Sequence, residues 1–219
     1  MRRGTGLTGR LGSAMCTAYE LGKRGGSFPS RIKAHAMEKL LAVRNPRLIR
    51  PTQPAPVILP DGGLETMAWG FRRPIRGANG RVSMRTIVNS REDKLRGAMW
   101  KEAFENRRCL IPAAAFYEWG ELNGRKTPLR FESPDDNWLW IAGIWETDPE
   151  RGRCFSMITT EPTSQIAPVH DRMPALLPEA GIDPFLAGSL DAFGPSAVPL
   201  EFAVTENFLR RDPGQGELF

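Results

Sequence analysis

Between Cys109 and Thr159 the chain offers five short apolar runs in quick succession: Cys109–Ile111, Phe116–Trp119, Leu129–Phe131, Trp138–Ile144 and Phe155–Thr159. None is long enough for a helix of ordinary length, and each is rich in the β-branched and aromatic residues that pack well on a pleated surface. Asn123-Gly124 separates two of them and is a strong two-residue hairpin signal. Strands this close together leave no room for helical crossovers, so they pair antiparallel. The reading is an α+β fold with a mostly antiparallel, barrel-like sheet and helices at its flanks.

The flanking segments fill in that plan. Ile32, Met37, Leu40, Leu41 and Val43 predict a short helix within Ser30–Val43, ended by Asn45-Pro46. The stretch from Arg50 to Pro56 holds three prolines and is extended, Val57–Leu59 is a strand, Pro60–Gly63 a turn, and Leu64–Trp69 its hairpin partner. Phe71–Arg85, rich in Arg and Gly, reads as a loop, and Ile87-Val88 as a brief strand. Leu95, Met99 and Ala103 predict a helix over Asp93–Asn106, and Pro178–Leu190 is weakly helical. Residues 1–15 are expected to be a disordered leader or to precede the true start, 16–209 a single domain, and 210–219 a flexible tail.

Composition bounds the function. No apolar run reaches membrane-spanning length; the longest, around Trp138–Trp145, suits a buried strand. Lys and Arg exceed Asp and Glu by 30 to 25, a mild excess compatible with a phosphate-bearing partner. The three cysteines, Cys16, Cys109 and Cys154, are far apart and form no Cys-x-x-Cys, which argues against a disulfide framework and against zinc. The expectation is therefore a cytoplasmic, nucleoid-associated protein with reduced thiols, no metal, no cofactor and no membrane partner.

Several residues can carry chemistry. His170, in His170-Asp171-Arg172-Met173-Pro174, shares the chain with one other histidine, His35, and so is the first candidate for proton transfer near neutral pH. Glu118, between Tyr117 and Trp119, is either a solvent-facing strand residue or an acid–base carboxylate tuned by apolar neighbours. Asn89 is a turn or cap residue, or a polar contact in a site. Arg91 and Arg172 are surface charges or phosphate forks. Trp69 belongs to the core or offers a stacking surface to bases. Cys16 is a small buried hydrophobe unless Met15 is an initiator that is removed. In that case its thiol and a free α-amine, with a pKa near 8, roughly, form a 1,2-aminothiol. Such a group condenses with an aldehyde to an imine and then closes to a thiazolidine.

Met15-Cys16, Asn89-Ser90-Arg91-Glu92-Asp93, Arg108–Ala113 leading into Phe116-Tyr117-Glu118-Trp119, and His170–Pro174 occur in that order. Together they resemble the SOS response-associated peptidase (SRAP) family over about residues 16–205. The resemblance implies a sensor of abasic sites in single-stranded DNA that forms a thiazolidine crosslink through its terminal cysteine. It makes Cys16 the nucleophile, Glu118 the proton-transfer carboxylate, His170 the group assisting sugar ring opening and reversal, and Asn89 the residue orienting amine and lesion. Arg91 and Arg172 would hold phosphates and the Trp69 segment would abut DNA. Peptidase activity, including self-removal of residues ahead of the cysteine, is also implied. Many members carry Met-Cys-Gly-Arg where Thr17 and Ala18 follow Cys16 here. Two rivals stand beside this reading: a cysteine peptidase using Cys16, His170 and Glu118, and a non-catalytic single-strand binder. The tail's Gln215, Leu218 and Phe219 resemble a bacterial sliding-clamp peptide.

Overall fold

The computed structural model describes residues 18–22, 25–43, 46–122 and 124–206. Cys16, the segment 1–15, Asn123 and the tail with Gln215, Leu218 and Phe219 lie outside the described residues. The chain enters through β1 (Tyr19–Leu21), helix α1 (Ala34–Leu41) and β2 (Arg47–Ile49). Helix α1 buries Ala36 and Leu40, four residues apart on one face. The proline-punctuated segment is extended as its composition demands and becomes β3 (Pro54–Ile58), paired with β4 (Leu64–Trp69). Their turn is built by Asp61, whose Oδ1 accepts the Gly63 N–H at 2.9 Å, and by Gly62 at φ +78°.

Gly70, at φ +119°, then turns the chain into β5 (Phe71–Arg76), followed by β6 (Val82–Ile87) and β7 (Asn89–Arg91). The first two form a hairpin where sequence predicted a loop. Arginine and glycine mask the strand period, but Gly77 and Gly80 close the turn, with Gly77 N–H donating to Arg81 O at 2.8 Å. The predicted helix over 93–106 is also corrected. A 3-10 turn at Glu92–Lys94 gives way to irregular turns around Gly97, and only α2 (Lys101–Asn106) is helical.

From there strands follow one another: β8 (Arg108–Ala113), β9 (Ala115–Leu122), β10 (Arg125–Glu132), β11 (Leu139–Asp148), β12 (Gly152–Thr160) and β13 (Met173–Pro174). Helix α3 (Glu179–Leu186) and β14 (Glu201–Val204) complete the described elements. The β9–β10 hairpin forms as the Asn-Gly signal predicts, with Gly124 at φ +71°.

One sheet runs β14-β10-β9-β1-β2, antiparallel throughout. The second runs β11-β8-β3-β4-β12, and the β11–β12 pairing closes it into a ring, with β13 and β7 attached to β12. Only β12 takes parallel partners among the described strands, β4 and β7. This is the mostly antiparallel, barrel-like α+β architecture expected from sequence. Every residue of β8 is buried, consistent with its unbroken apolar run and a position covered on both faces. The chain leaves the ring for the first sheet through Ala113, Ala114 and Ala115, and Ala114 N–H donates to Glu20 O at 2.8 Å. That crossing sets β9 in the first sheet, between β10 and β1, and carries Glu118 with it.

Candidate active site

Successive residues of β9 alternate between faces. Phe116 and Glu118 share the face of Tyr19, Leu129 and Phe131, their partners on β1 and β10. Glu118 is wholly enclosed, with 0% of its surface exposed. A carboxyl shut off from bulk water exchanges protons only with groups inside its own site, so the solvent-facing alternative is removed. The opposite face carries Tyr117, whose hydroxyl donates to Glu20. Arg130 holds the other Glu20 oxygen through Nε at 3.0 Å and Nη2 at 2.8 Å. Burial, then the Glu20 carboxylate, push the Tyr117 hydroxyl well above the usual phenol range. This cluster ties β9 to both neighbours and fixes the strand that presents Glu118.

Ala18, two positions on from Cys16, is buried, and its carbonyl accepts the Tyr117 N–H at 3.1 Å. The other two thiols are not available as nucleophiles. Cys109 is fully buried and its thiol is pushed far up by desolvation. Cys154 is 1% exposed, and burial, then Glu146, raise its pKa to about 12. The thiolate is the reactive form, and neither site favours it.

The remaining candidates gather around the end of β12. Asn89 begins β7 and pairs with Met157; Arg91, at the far end of β7, pairs with Thr159. Behind them the buried hydroxyls of Ser90 and Ser156 bond at 2.7 Å and lock the two strands. On the other side of β12, β13 pairs Pro174 with Thr159 and Met173 with Thr160. The turn before β13 presents His170, whose Nδ1 accepts the Arg172 N–H at 3.1 Å and stands 3.0 Å from Asp171 Oδ1. His35, by contrast, is exposed on α1, away from any such set.

Arg91 and Arg172 meet at one carboxylate. Arg91 grips Asp93 through Nε–Oδ1 at 3.0 Å and Nη2–Oδ2 at 3.1 Å, and Arg172 Nη2 lies 3.9 Å from the same Oδ1. Arg91, half exposed, remains open to a phosphate. Arg172 does not sit as a surface fork: it is 8% exposed and its Nη2 donates to Thr159 O at 2.6 Å. Trp69 requires a correction too. Its ring is completely enclosed, edge-on to Tyr19 at 5.1 Å and parallel to Phe155 at 6.4 Å, and its Nε1–H donates to Val88 O at 3.0 Å. It offers no open stacking face. It packs instead between Tyr19 of β1 and Phe155 of β12 and bonds the residue before Asn89.

The structure thus brings Arg91, Asp93, Arg172, Asn89 and His170 to one end of β12, while Glu118 lies on β9 in the other sheet, on the face of Tyr19. Asp93 was not singled out from sequence, although it closes the motif Asn89–Asp93; its spacing from Arg91 was the available signal. Glu20 and Arg130 carried no sequence signal, because only the pairing of distant strands brings them together.

Known proteins share this fold. A crystal structure of a protein from Bordetella bronchiseptica superposes with a TM-score of 0.66 at 22% identity, over 88% of this chain and 100% of that one. One from Bacteroides thetaiotaomicron gives 0.65 at 20% identity, over 81% and 85%. Both establish the fold. The abasic site processing protein YoqW of Bacillus subtilis (strain 168) is 30% identical over 138 residues, 59% of this chain and 61% of its own length. The abasic site processing protein YedK of Escherichia coli (strain K12) is 27% identical over 122 residues, 53% of this chain and 52% of its own. The chain therefore covers less than two thirds of either relative. The family model described as SOS response associated peptidase matches residues 15–197, from Met15-Cys16 through the His170 turn and α3. With the fold, the order of the motifs and this match in agreement, the chain belongs to the SOS response associated peptidase (SRAP) family.

Proposed function

We propose that this protein processes abasic sites in single-stranded DNA by forming a thiazolidine with the ring-opened sugar through Cys16. The observation that carries the reading is the state of the thiols. Of three cysteines, Cys109 and Cys154 are buried and hard to ionise, which leaves Cys16 for thiol chemistry. Cys16 precedes Ala18 by two residues, and Ala18 is bonded to the strand bearing Glu118. The family match begins at residue 15, and the relatives above are named for abasic site processing.

In this mechanism the lesion's C1′–O4′ bond opens, O4′ takes a proton from His170, and the C1′ hydroxyl loses one to become an aldehyde. The Cys16 amine adds to C1′, and Glu118 shuttles the protons that let water leave and the imine form. Sulfur then adds to C1′ while the nitrogen takes up a proton, so aldehyde and aminothiol give thiazolidine and water. Asn89 orients the amine and the lesion, and Arg91 holds a flanking phosphate. Closure needs a free α-amine, so residues 1–15 must be absent or removed, by initiation at Met15 or by self-cleavage.

Protein beginning at Cys16 is expected to give a heat-stable adduct with single-stranded abasic DNA, with intact mass showing loss of one water. Equal crosslinking by protein that verifiably retains residues 1–15 would overturn the aminothiol mechanism.

A further inference from the structure

Trp138, just ahead of β11, and Trp140 within it lie two residues apart and so share a face. Their rings stack at 6.1 Å with 29° between the planes, and Phe28 tilts against them at 5.8 and 5.9 Å. Both tryptophans are buried, yet both line a cavity of about 230 Å³. Buried Pro29 and Leu177 line it with them, and exposed Pro178 and Pro199 stand on its rim. None of these residues belongs to the candidate active site.

The walls are fixed from behind. Leu177 N–H donates to Trp140 O at 2.8 Å, Ser196 Oγ to Leu176 O at 3.1 Å, and Val198 N–H to Ser196 Oγ at 3.1 Å. The cavity is therefore preformed. Its polar groups are few. Trp138 Nε1–H is buried and donates to no acceptor among the described residues. An orphaned donor of this kind is costly and uncommon in a native interior. Glu179, in the first turn of α3, puts an exposed carboxylate on the rim, with no ion pair among the described residues. Asp135, two residues before the rim residue Asn137, is exposed and likewise has none.

We propose that this cavity docks an extended, proline-containing segment of a partner protein that also bears an arginine or lysine. A prolyl ring would sit on Trp138 and Trp140, and the cation on Glu179. Size, hydrogen bonding and charge each select this occupant. The cavity is smaller than the roughly 300–1,000 Å³ that encloses a drug-sized molecule, so it suits one or two side chains. Its lining offers apolar rings and an unused donor. A prolyl segment matches that balance, because its carbonyls are unpaired and its prolines carry no N–H. The χ2 torsion of tryptophan is soft, so a small turn of the indole brings Nε1–H to such a carbonyl. Glu179 and Asp135 attract a cation and repel phosphate, although the chain as a whole carries +5. The same feature disfavours DNA as the occupant and separates this surface from the abasic-site chemistry.

Anisotropy titration of the full chain with a fluorescein-labelled peptide of Arg-Pro-Pro repeats tests this. Saturable binding is expected, and the same peptide with glycine for proline should bind more weakly, since it lacks the preformed extended helix. Trp138→Phe keeps an aromatic face and removes one hydrogen bond, so affinity for the proline peptide should fall about five- to tenfold. Glu179→Gln, at an exposed position, should weaken binding and flatten its salt dependence. Both variants should crosslink single-stranded abasic DNA as the parent does, which reports an intact fold. Absence of saturable binding, equal binding of the glycine peptide, or unchanged affinity in either variant would overturn the docking site. A Trp138→Phe variant that loses single-strand affinity while keeping the peptide would assign the cavity to a nucleobase and overturn it as well.

Discussion

Asp93 shows how one side chain sets what its neighbours can do. Its carboxylate is held below the usual range chiefly by the Arg91 guanidinium, with a smaller contribution from Arg172. The Arg91 pair is about half exposed on both sides, and such pairs contribute only about 0–1 kcal/mol. A phosphate can therefore displace Asp93 at little cost. Asp93→Asn is expected to tighten single-strand binding and steepen its salt slope by about 0.7 as Arg91 is released; an unaltered slope would mean that Arg91 meets no phosphate. Glu118→Gln keeps shape and removes proton transfer, so adduct formation should slow by a factor of about 100 to 10,000 with DNA affinity retained. Stopped time courses across pH would return Glu118 to a packing role if the rates matched wild type. At this scale the sequence was informative about residue type and order, since Asn89, Arg91, Glu118, His170 and Arg172 sit in short motifs. It could not reveal that Trp69 is enclosed or that Arg172 braces Thr159, because both depend on what the fold places above them.

Elements were legible where period and punctuation agree. Leu64–Trp69 and the Asn-Gly hairpin stand where alternation and turn chemistry put them. β5 and β6 were hidden because arginines interrupt their apolar period and, of the two strands, only Phe71 is fully buried. β1, β2 and β14 are three or four residues long and owe their strand state to their neighbours, β9 for β1, β1 for β2 and β10 for β14, not to local propensity. The helix over 93–106 failed at Gly97, where backbone freedom outweighs the spacing of Leu95 and Met99. Gly143 marks the opposite case, a glycine required by packing. It lies in mid-β11 between Cys109 and Met157, and an added Cβ would meet Ile111 Cδ1 at 2.8 Å and Cys109 Sγ at 3.0 Å. Gly143→Ala should destabilise the protein by about 1–3 kcal/mol, read as a lower urea midpoint at constant slope. An unchanged midpoint would show that the ring can widen without penalty.

Across the whole molecule, Arg108 joins what the sheets alone do not. Its guanidinium starts from β8, is nearly enclosed, and donates to Phe104 O at 2.8 Å, Phe185 O at 3.1 Å and Leu190 O at 2.6 Å. One residue thus bonds α2, α3 and the segment beyond α3 to the ring. Asp191 supplies the counter-charge at 3.0 Å and is shared with Arg96. Arg108 first, and Arg96 next, hold the Asp191 carboxyl below the usual range. The consequence for stability has a definite sign. Asp191 is ionised in the folded chain at pH values where the unfolded chain binds a proton there, so unfolding takes up protons as pH falls. Its contribution is complete above the unfolded pKa, about 3.9, and disappears as pH drops through the lower folded value. Asp191→Asn should therefore lower the thermal midpoint at neutral pH, and the gap to wild type should close progressively below about pH 3.9. Parallel acid titrations of the two proteins by circular dichroism measure that gap. A gap of constant size down to strongly acidic pH would mean that the asparagine harms packing rather than charge, and that Arg108 holds the helices through its carbonyl bonds alone.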